Sequence, residues 1–250
     1  MNKILTTLTS SLLCMFLLAC QSENLGKTYG LDLSHYQGDI DWTKVKSWNG
    51  HDIQFVYIKA TEGSDLLDAK YAYNIREAKK NNHMVGSYHF FRTTSSVKDQ
   101  FEFFKKKVAK DKQDLIPMID IEDNKKNLSS KVFNERLQEF LFLIEEYYGR
   151  KPLLYSTQRF YNTYLKDKYL NYYWSIARYN TIPPNLLDSN KWTLWQFTNK
   201  GIVDGIPTHV DGKPAGLDVN VLNEDHELDY LILNKSLYAQ VLLFFKDVLD

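Results

Sequence analysis

Short apolar runs alternate with longer segments of helical periodicity from residue 29 onward, and this order constrains the fold more than any other feature of the chain. Strands that alternate with helices predict a parallel sheet, because each helix returns the chain to the same edge of the sheet. About eight strands of this kind favour a sheet closed into a barrel over an open one. The candidate strands are Tyr29–Leu33, Ile53–Lys59, Met84–Phe91, Leu115–Ile121, Leu153–Tyr155, Tyr173–Ala177, Trp192–Phe197 and Leu217–Val221.

The helical segments between these strands support the same interpretation. The clearest is Ser130–Tyr148, with a Ser129 or Ser130 cap, apolar residues at three- and four-residue spacing, and Gly149 as its stop. Two further helices are predicted at Ala69–Asn81 and Val97–Lys110. After Trp192, turn residues replace the helical patterns, so we expect loops to join the last strands. The pattern Leu237–Leu249 predicts a terminal helix on the outside of the domain.

The N-terminal 20 residues have the pattern of a signal peptide. Lys3 precedes an apolar run that is too short and poorly flanked for a permanent transmembrane helix. The ending Leu-Leu-Ala-Cys20 resembles the lipobox of bacterial lipoproteins, which implies cleavage before Cys20 and acylation of its thiol. The alternative is an ordinary signal sequence in which the cysteine occurs by chance. We therefore expect a signal peptide over residues 1–20, a polar tether over 21–28 and a single domain over 29–250.

Lipidation predicts the cellular location. A chain acylated at Cys20 is exported and held in the cell envelope by its lipid. Because Gln21 and Ser22 follow the cysteine and no aspartate does, the expected site in a diderm organism is the outer membrane.

Charge and motif content exclude several classes of function. Lys plus Arg and Asp plus Glu both total 31, so no overall basic field attracts nucleic acid. A hydrophobic fraction of 44% is that of a globular protein, and both cysteines lie within the first 20 residues, so we expect no disulfide in the folded domain. The sequence contains no His-Glu-x-x-His, Gly-x-Ser-x-Gly or Gly-x-x-x-x-Gly-Lys motif, which disfavours a zinc peptidase, a serine hydrolase and a phosphate-loop enzyme.

The segment Leu115–Asp123 carries the most informative pair of acidic residues. Side chains alternate along a strand, so Asp120 and Glu122 point to one face, with Cα atoms about 6.5 Å apart. Two carboxyls at the buried end of a strand repel each other and are partly desolvated, which raises at least one pKa. Cleavage of a glycosidic bond requires one protonated and one ionised carboxyl. The alternative is a solvated turn at the end of the strand.

Two further aspartates are placed in the same way. Asp32 ends the first candidate strand and Asp218 lies in the last one. Because the first and last strands of a closed barrel are neighbours, we expect these two side chains to meet at one mouth, across from Asp120 and Glu122. Aromatic residues at strand ends, such as Tyr88, could stack on sugar rings, although core packing is the alternative for many of the 17 tyrosines.

Seven motifs in order over residues 29–223 resemble glycoside hydrolase family 25, the Chalaropsis-type lysozymes or N-acetylmuramidases. They are Asp32-x-Ser-x-x-Gln-Gly with Ile40-Asp-Trp, Phe55-Val-Tyr-Ile-Lys-Ala-Thr-Glu-Gly, Gly86-Ser-Tyr-His-Phe, Ile119-Asp-Ile-Glu, Leu154-Tyr-Ser, Trp195-Gln and Leu217-Asp-Val-Asn. The resemblance implies an α/β fold, a single distorted TIM-like β/α barrel of the (β/α)5(β)3 type. It also implies cleavage of the β-1,4 bond between N-acetylmuramic acid and N-acetylglucosamine in peptidoglycan, with retention of configuration.

The resemblance also implies roles for individual residues. Glu122 matches the general acid and Asp120 its partner carboxylate, while Asp32 and Asp218 match the other acidic residues of the site. Predicted substrate contacts are Tyr88, Tyr155, Trp195, Gln196 and Lys59. Asp120 could act as a nucleophile or could orient the substrate's own N-acetyl group, and its position on the same strand favours the second. We expect no metal or cofactor and a monomer. The competing class is a non-catalytic lipoprotein that binds cell-wall glycan.

Overall fold

A computed structural model of the chain describes residues 27–235. The predictions for the signal peptide, Cys20, most of the tether and the terminal helix Leu237–Leu249 fall outside these residues. Within residues 27–235, no helix is long and apolar enough to cross a membrane.

Eight strands form a closed ring, because β1 pairs with β3 on one side and with β12 on the other. In order around the ring, they are β1 (Tyr29–Leu33), β3 (His51–Glu62), β5 (Met84–Phe90), β6 (Met118–Asp120), β7 (Leu153–Thr157), β8 (Tyr173–Ala177), β9 (Leu194–Thr198) and β12 (Asp218–Leu222). Neighbours are parallel except at β12, which is antiparallel to both β9 and β1. Short strands outside the ring are β2 (Ser47–Trp48), β4 (Leu66–Leu67), β10 (His209–Val210) and β11 (Lys213–Pro214). The predicted barrel is therefore confirmed.

Three α-helices cover the first half of the ring. They are α1 (Tyr71–Lys80), α2 (Val97–Lys107) and α3 (Ser130–Tyr148). Ser129 caps the start of helix α3, where its hydroxyl accepts a hydrogen bond from the Val132 amide. Gly149 caps the end of the helix in the left-handed conformation, at φ 72°. Shorter helical turns are Gln158–Phe160, followed by a π-helical turn at Tyr161–Leu165, and 3-10 turns at His35–Gln37, Lys110–Lys112 and Leu228–Leu231.

Strand β6 is shorter than the sequence pattern predicts. It covers Met118–Asp120, whereas Leu115–Ile121 was expected. Pro117 has no amide hydrogen for the sheet, and Leu115 instead forms an isolated bridge to Ile232. Glu122 therefore lies just beyond the strand rather than within it, near the opening of the barrel.

The apolar core lies between the ring and its helices. Ile119 and Ile121 are fully buried and belong to the same core as the α3 residues Phe133 and Phe140. Polar side chains collect instead inside the ring, where the parallel strands end. Because the parallel strands run in one direction, their last residues bring the candidate acidic residues to the same mouth.

Candidate active site

A cleft of about 350 Å³ opens at the carboxyl ends of the parallel strands and contains all four predicted carboxyl groups. Its lining residues are Asp32, Tyr36, Lys59, Glu62, Tyr88, Phe90, Met118, Asp120, Glu122, Tyr155, Tyr179, Gln196 and Asp218. Four of the five predicted substrate contacts are among them. The geometry therefore brings together residues from all eight strands of the ring, or from the loops that follow them.

Asp32 and Asp218 lie directly opposite each other in the antiparallel pair of β1 and β12, as predicted. The Asp32 Oδ2 atom accepts hydrogen bonds from Gln196 Nε2 at 2.8 Å and from Asn220 Nδ2 at 2.9 Å. Burial raises the pKa of Asp32 to about 6, against the opposing effect of these two hydrogen bonds. Asp32 is thus held as an acceptor at the floor of the cleft.

Asp218 is nearer the cleft opening and has a higher pKa. Burial raises its pKa to about 7, and the negative charges of Asp32 and Glu122 add to this shift. A hydrogen bond from Tyr179 acts in the opposite direction. Both aspartates therefore titrate closer to neutral pH than an ordinary carboxyl does.

Asp120 and Glu122 form the second acidic pair. Burial raises the pKa of Asp120 well above its ordinary value, and the nearby Glu122 charge raises it further. Burial also raises the pKa of Glu122, with a further contribution from Asp123. Within residues 27–235, the Asp120 Oδ1 atom has no hydrogen-bond partner. Both shifts favour the protonated form, which acid catalysis requires of one member of the pair.

A buried ion-pair network borders the Asp120 side of the cleft. Lys59 Nζ donates to Glu62 Oε2 at 2.7 Å, and Arg92 Nε donates to Glu62 Oε1 at 2.8 Å. The positive charge of Lys59 lowers the pKa of both Asp120 and Glu122, so it opposes the effect of burial. Lys59 thus provides the counter-charge for the acidic pair.

The aromatic predictions divide into two groups. Tyr88 and Tyr155 line the cleft, as expected for residues that contact substrate. Trp195 does not line it: its ring packs on Trp192 and Phe197, and its Nε1 donates to the Arg178 carbonyl. Side chains alternate along β9, so the inward position of Gln196 directs Trp195 to the outside of the barrel. The predicted substrate contact of Trp195 is corrected accordingly.

Other cleft residues were not assigned a role from the sequence. Glu62 is three positions from Lys59, a spacing that places side chains on opposite faces of a regular strand. A register irregularity between Lys59 and Thr61 brings the two together. Tyr36 and Tyr179 stand at the opening with 65% and 53% of their surface exposed. Tyr36 lies in the short 3-10 turn His35–Gln37 and Tyr179 in a loop, and neither segment has a periodic signal.

The comparisons with known proteins agree with this geometry. The family model for glycosyl hydrolases family 25 matches residues 31–206. The uncharacterized protein YegX of Escherichia coli K12 is 35% identical over 185 residues, which cover 73% of this chain and 67% of YegX. Lysozyme M1 of Streptomyces globisporus is 29% identical over 199 residues, covering 73% of this chain and 65% of that enzyme.

Solved structures show the same fold. A family 25 glycosyl hydrolase from Bacillus anthracis is 37% identical, with a TM-score of 0.68 over 79% of this chain and 90% of that one. The bacterial lysozyme of Streptomyces coelicolor is 27% identical, with a TM-score of 0.69 over 80% of this chain and 94% of that one. The family match spans more than half of the chain and includes its first three acidic positions. On this evidence, the chain belongs to the glycosyl hydrolases of family 25.

Proposed function

We propose that this chain is a peptidoglycan muramidase that cleaves the β-1,4 bond between N-acetylmuramic acid and N-acetylglucosamine with retention of configuration. The observation that carries the proposal is the pair Asp120 and Glu122, two carboxyls with raised pKa values in a cleft that is open to solvent. Lysozyme M1 and the Streptomyces coelicolor lysozyme, both named for this type of activity, support the choice of substrate.

The geometry suggests a role for each carboxyl. Glu122 lies beyond the end of β6, so it is placed to protonate the oxygen of the departing sugar. Asp120 is deeper and in the same cleft, where it can orient the substrate's acetamido group or attack the anomeric carbon. Asp32, whose carboxylate accepts from two amide donors, stabilises the positive charge that develops on the sugar ring.

Release of reducing ends from purified peptidoglycan tests the assignment. We expect soluble fragments that end in reducing N-acetylmuramic acid, identified by mass spectrometry after borohydride reduction. Fragments that end in reducing N-acetylglucosamine would indicate cleavage of the other glycosidic bond. Binding to peptidoglycan without release of any reducing end would instead identify a glycan-binding protein and contradict the proposal.

We also propose that the chain is anchored through a lipid on Cys20 in the cell envelope, at the outer membrane in a diderm organism. Strand β1 begins at Tyr29, at the opposite end of the barrel from the cleft. A tether over residues 21–28 would therefore hold the cleft away from the membrane and towards the wall. The lipobox-like sequence and this geometry are the support for the proposal.

Labelled palmitate tests the anchor. We expect incorporation into the wild-type chain and loss of incorporation in Cys20→Ser, with Cys14→Ser as the matched control. Equal labelling of Cys20→Ser and the wild type would contradict acylation at this site. The proposed enzyme acts as a monomer, which light scattering on the purified chain checks.

A further inference from the structure

The side-chain amide of Gln196 connects the cleft opening to Asp32. Gln196 is only 2% exposed, and its Oε1 atom accepts hydrogen bonds from the hydroxyls of Tyr155 and Tyr179, both at 3.0 Å. Its Nε2 atom donates to Asp32 Oδ2 at 2.8 Å. A side chain this buried and with both ends of its amide engaged is positioned to act on other groups of the site rather than to bind sugar.

The direction of these hydrogen bonds depends on the charge of Asp32. An ionised carboxylate only accepts, so it requires the NH₂ end of the Gln196 amide to face it. The amide oxygen then faces the two tyrosines, and both hydroxyls must donate. A protonated Asp32 could donate instead, which would allow the amide to turn over. The orientation of the Gln196 amide and of the two tyrosine hydroxyls therefore depends on whether Asp32 carries a proton.

Tyr179 extends this linkage to the second aspartate. Its hydroxyl donates to Gln196 Oε1 at 3.0 Å, and it also lies close enough to the carboxyl of Asp218 to lower the pKa of that group. When Asp218 is ionised, it competes with Gln196 for the hydroxyl proton, and when Asp218 is neutral the proton is free to serve Gln196. The state of Asp218 thus changes the polarisation of the amide that donates to Asp32.

We propose that Gln196 is a positioning residue, which couples Tyr179 and Asp218 at the cleft opening to the charge of Asp32 on its floor. The inference rests on the proposed function for its effect on catalysis, but the coupling itself does not depend on turnover. It replaces the predicted substrate contact of Gln196 with an indirect role. It also assigns a role to Tyr179, a residue that sequence patterns did not indicate.

Other ionisable groups lie around Asp32 and could also affect its titration. Around Asp32 they are Tyr57, Tyr88, Asp120, Tyr155, Tyr179 and Asp218. Burial raises the pKa of each of these tyrosines above 10, so their hydroxyls stay neutral over the range in which the aspartates titrate. Asp120 and Glu122 are changed by none of the variants below.

The experiment is a ¹³C NMR titration of the aspartate carboxyls in the full chain, with Asp32→Asn to assign the Asp32 signal. Gln196→Met keeps the length of the side chain but removes its donor, so we expect the Asp32 midpoint to rise by about one pH unit. Tyr179 donates to Gln196 and not to Asp32, so Tyr179→Phe should raise the Asp32 midpoint by a smaller amount, through Gln196 alone. Tyr164→Phe, an outer-surface tyrosine, is the matched control and should leave the midpoint unchanged. An unchanged Asp32 midpoint in Tyr179→Phe would overturn the coupling.

The pH dependence of kcat/KM provides the second readout. In Gln196→Met, loss of a donor raises the Asp32 pKa, so activity should fall most at low pH. In Gln196→Glu, a carboxyl faces Asp32 and the pair can share a proton only at low pH, so activity should fall most at high pH. A purely structural role predicts equal losses at every pH in both variants. If the NMR shifts appear but the wild type releases no reducing ends, the coupling stands and the proposed function fails.

Discussion

The two walls of the cleft hold their carboxyl groups in different ways. On the β1 side, Asp32 accepts from two buried amides, which favour its ionised form. On the β6 side, the nearby positive charge of Lys59 favours the ionised form of Asp120. The Oδ1 atoms of both aspartates are without a hydrogen-bond partner among residues 27–235. Asp32 therefore has fixed neutral donors that partly offset the effect of burial on its pKa, whereas the acidic pair has a neighbouring cation in that role. The comparison separates two ways of stabilising a buried carboxylate.

The largest expected effect on activity comes from removing the carboxyl proton that Glu122 would donate. Glu122→Gln retains shape but cannot donate a proton to a leaving oxygen, so kcat/KM should fall by about two to four orders of magnitude. Release of reducing ends from peptidoglycan measures the loss. Glu139→Gln, an exposed position on α3, is the matched control, and thermal unfolding shows whether both variants fold. Turnover within about threefold of the wild type would remove Glu122 from the proposed role.

On the opposite wall, the expected effect is on stability. The pKa of Asp32 is about 6 in the folded protein against 3.8 ordinarily, so the folded state binds the proton more tightly and loses stability as pH rises between these values. An asparagine at this position does not ionise, so Asp32→Asn should not lose stability over this pH range. Its free energy of unfolding should exceed that of the wild type by roughly 3 kcal/mol above about pH 7, and the gain should vanish below about pH 4.

Denaturant unfolding at a series of pH values measures this difference. Asp204→Asn, an exposed substitution of the same kind, is the control and should follow the wild type at every pH. A gain in Asp32→Asn that is the same at about pH 4 and about pH 7 would mean that the charge of Asp32 is not its cause.

A smaller effect on activity is expected when Lys59, the counter-charge of Asp120 and Glu122, is removed. Lys59→Met removes the cation that lowers the pKa of Asp120 and Glu122, so both pKa values rise. The pH profile of kcat/KM should then move as a whole to higher pH, with a loss of about tenfold on its acidic side. Lys98→Met, an exposed lysine on α2, is the control. A higher KM with an unmoved profile would instead identify Lys59 as a substrate contact.

The sequence alone was sufficient for the parts of the site that depend on strand order and alternation. Ring closure predicts that Asp32 and Asp218 meet. An extended chain from Asp120 to Glu122 predicts that these two side chains share a face, although β6 itself ends at Asp120. The Lys59 and Glu62 pair could not be predicted, because it depends on a local irregularity in β3 that no residue pattern announces. Tyr179 lies in an irregular loop, so its approach to Gln196 follows from the path of that loop rather than from any periodicity.

Trp195 shows a different limit. An aromatic residue next to an inward-facing glutamine on the same strand must face outward, but the sequence does not reveal which of the two is inside. The sequence predicts both residues as substrate contacts, although only one of the two can face the cleft. The hydrogen bond from Gln196 to Asp32 settles the register, since only the inner face of β9 reaches β1 across the ring.

The smallest predicted effect uses this contrast between an aromatic residue inside the cleft and one outside it. Tyr36 is 65% exposed at the opening, where its ring can stack on a sugar unit away from the cleaved bond. Tyr36→Ala should raise KM by about three- to tenfold with kcat nearly unchanged, because such stacking stabilises bound substrate and transition state equally. Trp195→Phe is the matched comparison and should leave KM unchanged, since its ring packs on Trp192 and Phe197 outside the cleft. Steady-state kinetics on soluble peptidoglycan fragments distinguishes the two variants. A rise in KM for Trp195→Phe would place that ring in contact with substrate, and an unchanged KM for Tyr36→Ala would remove the stacking role of Tyr36.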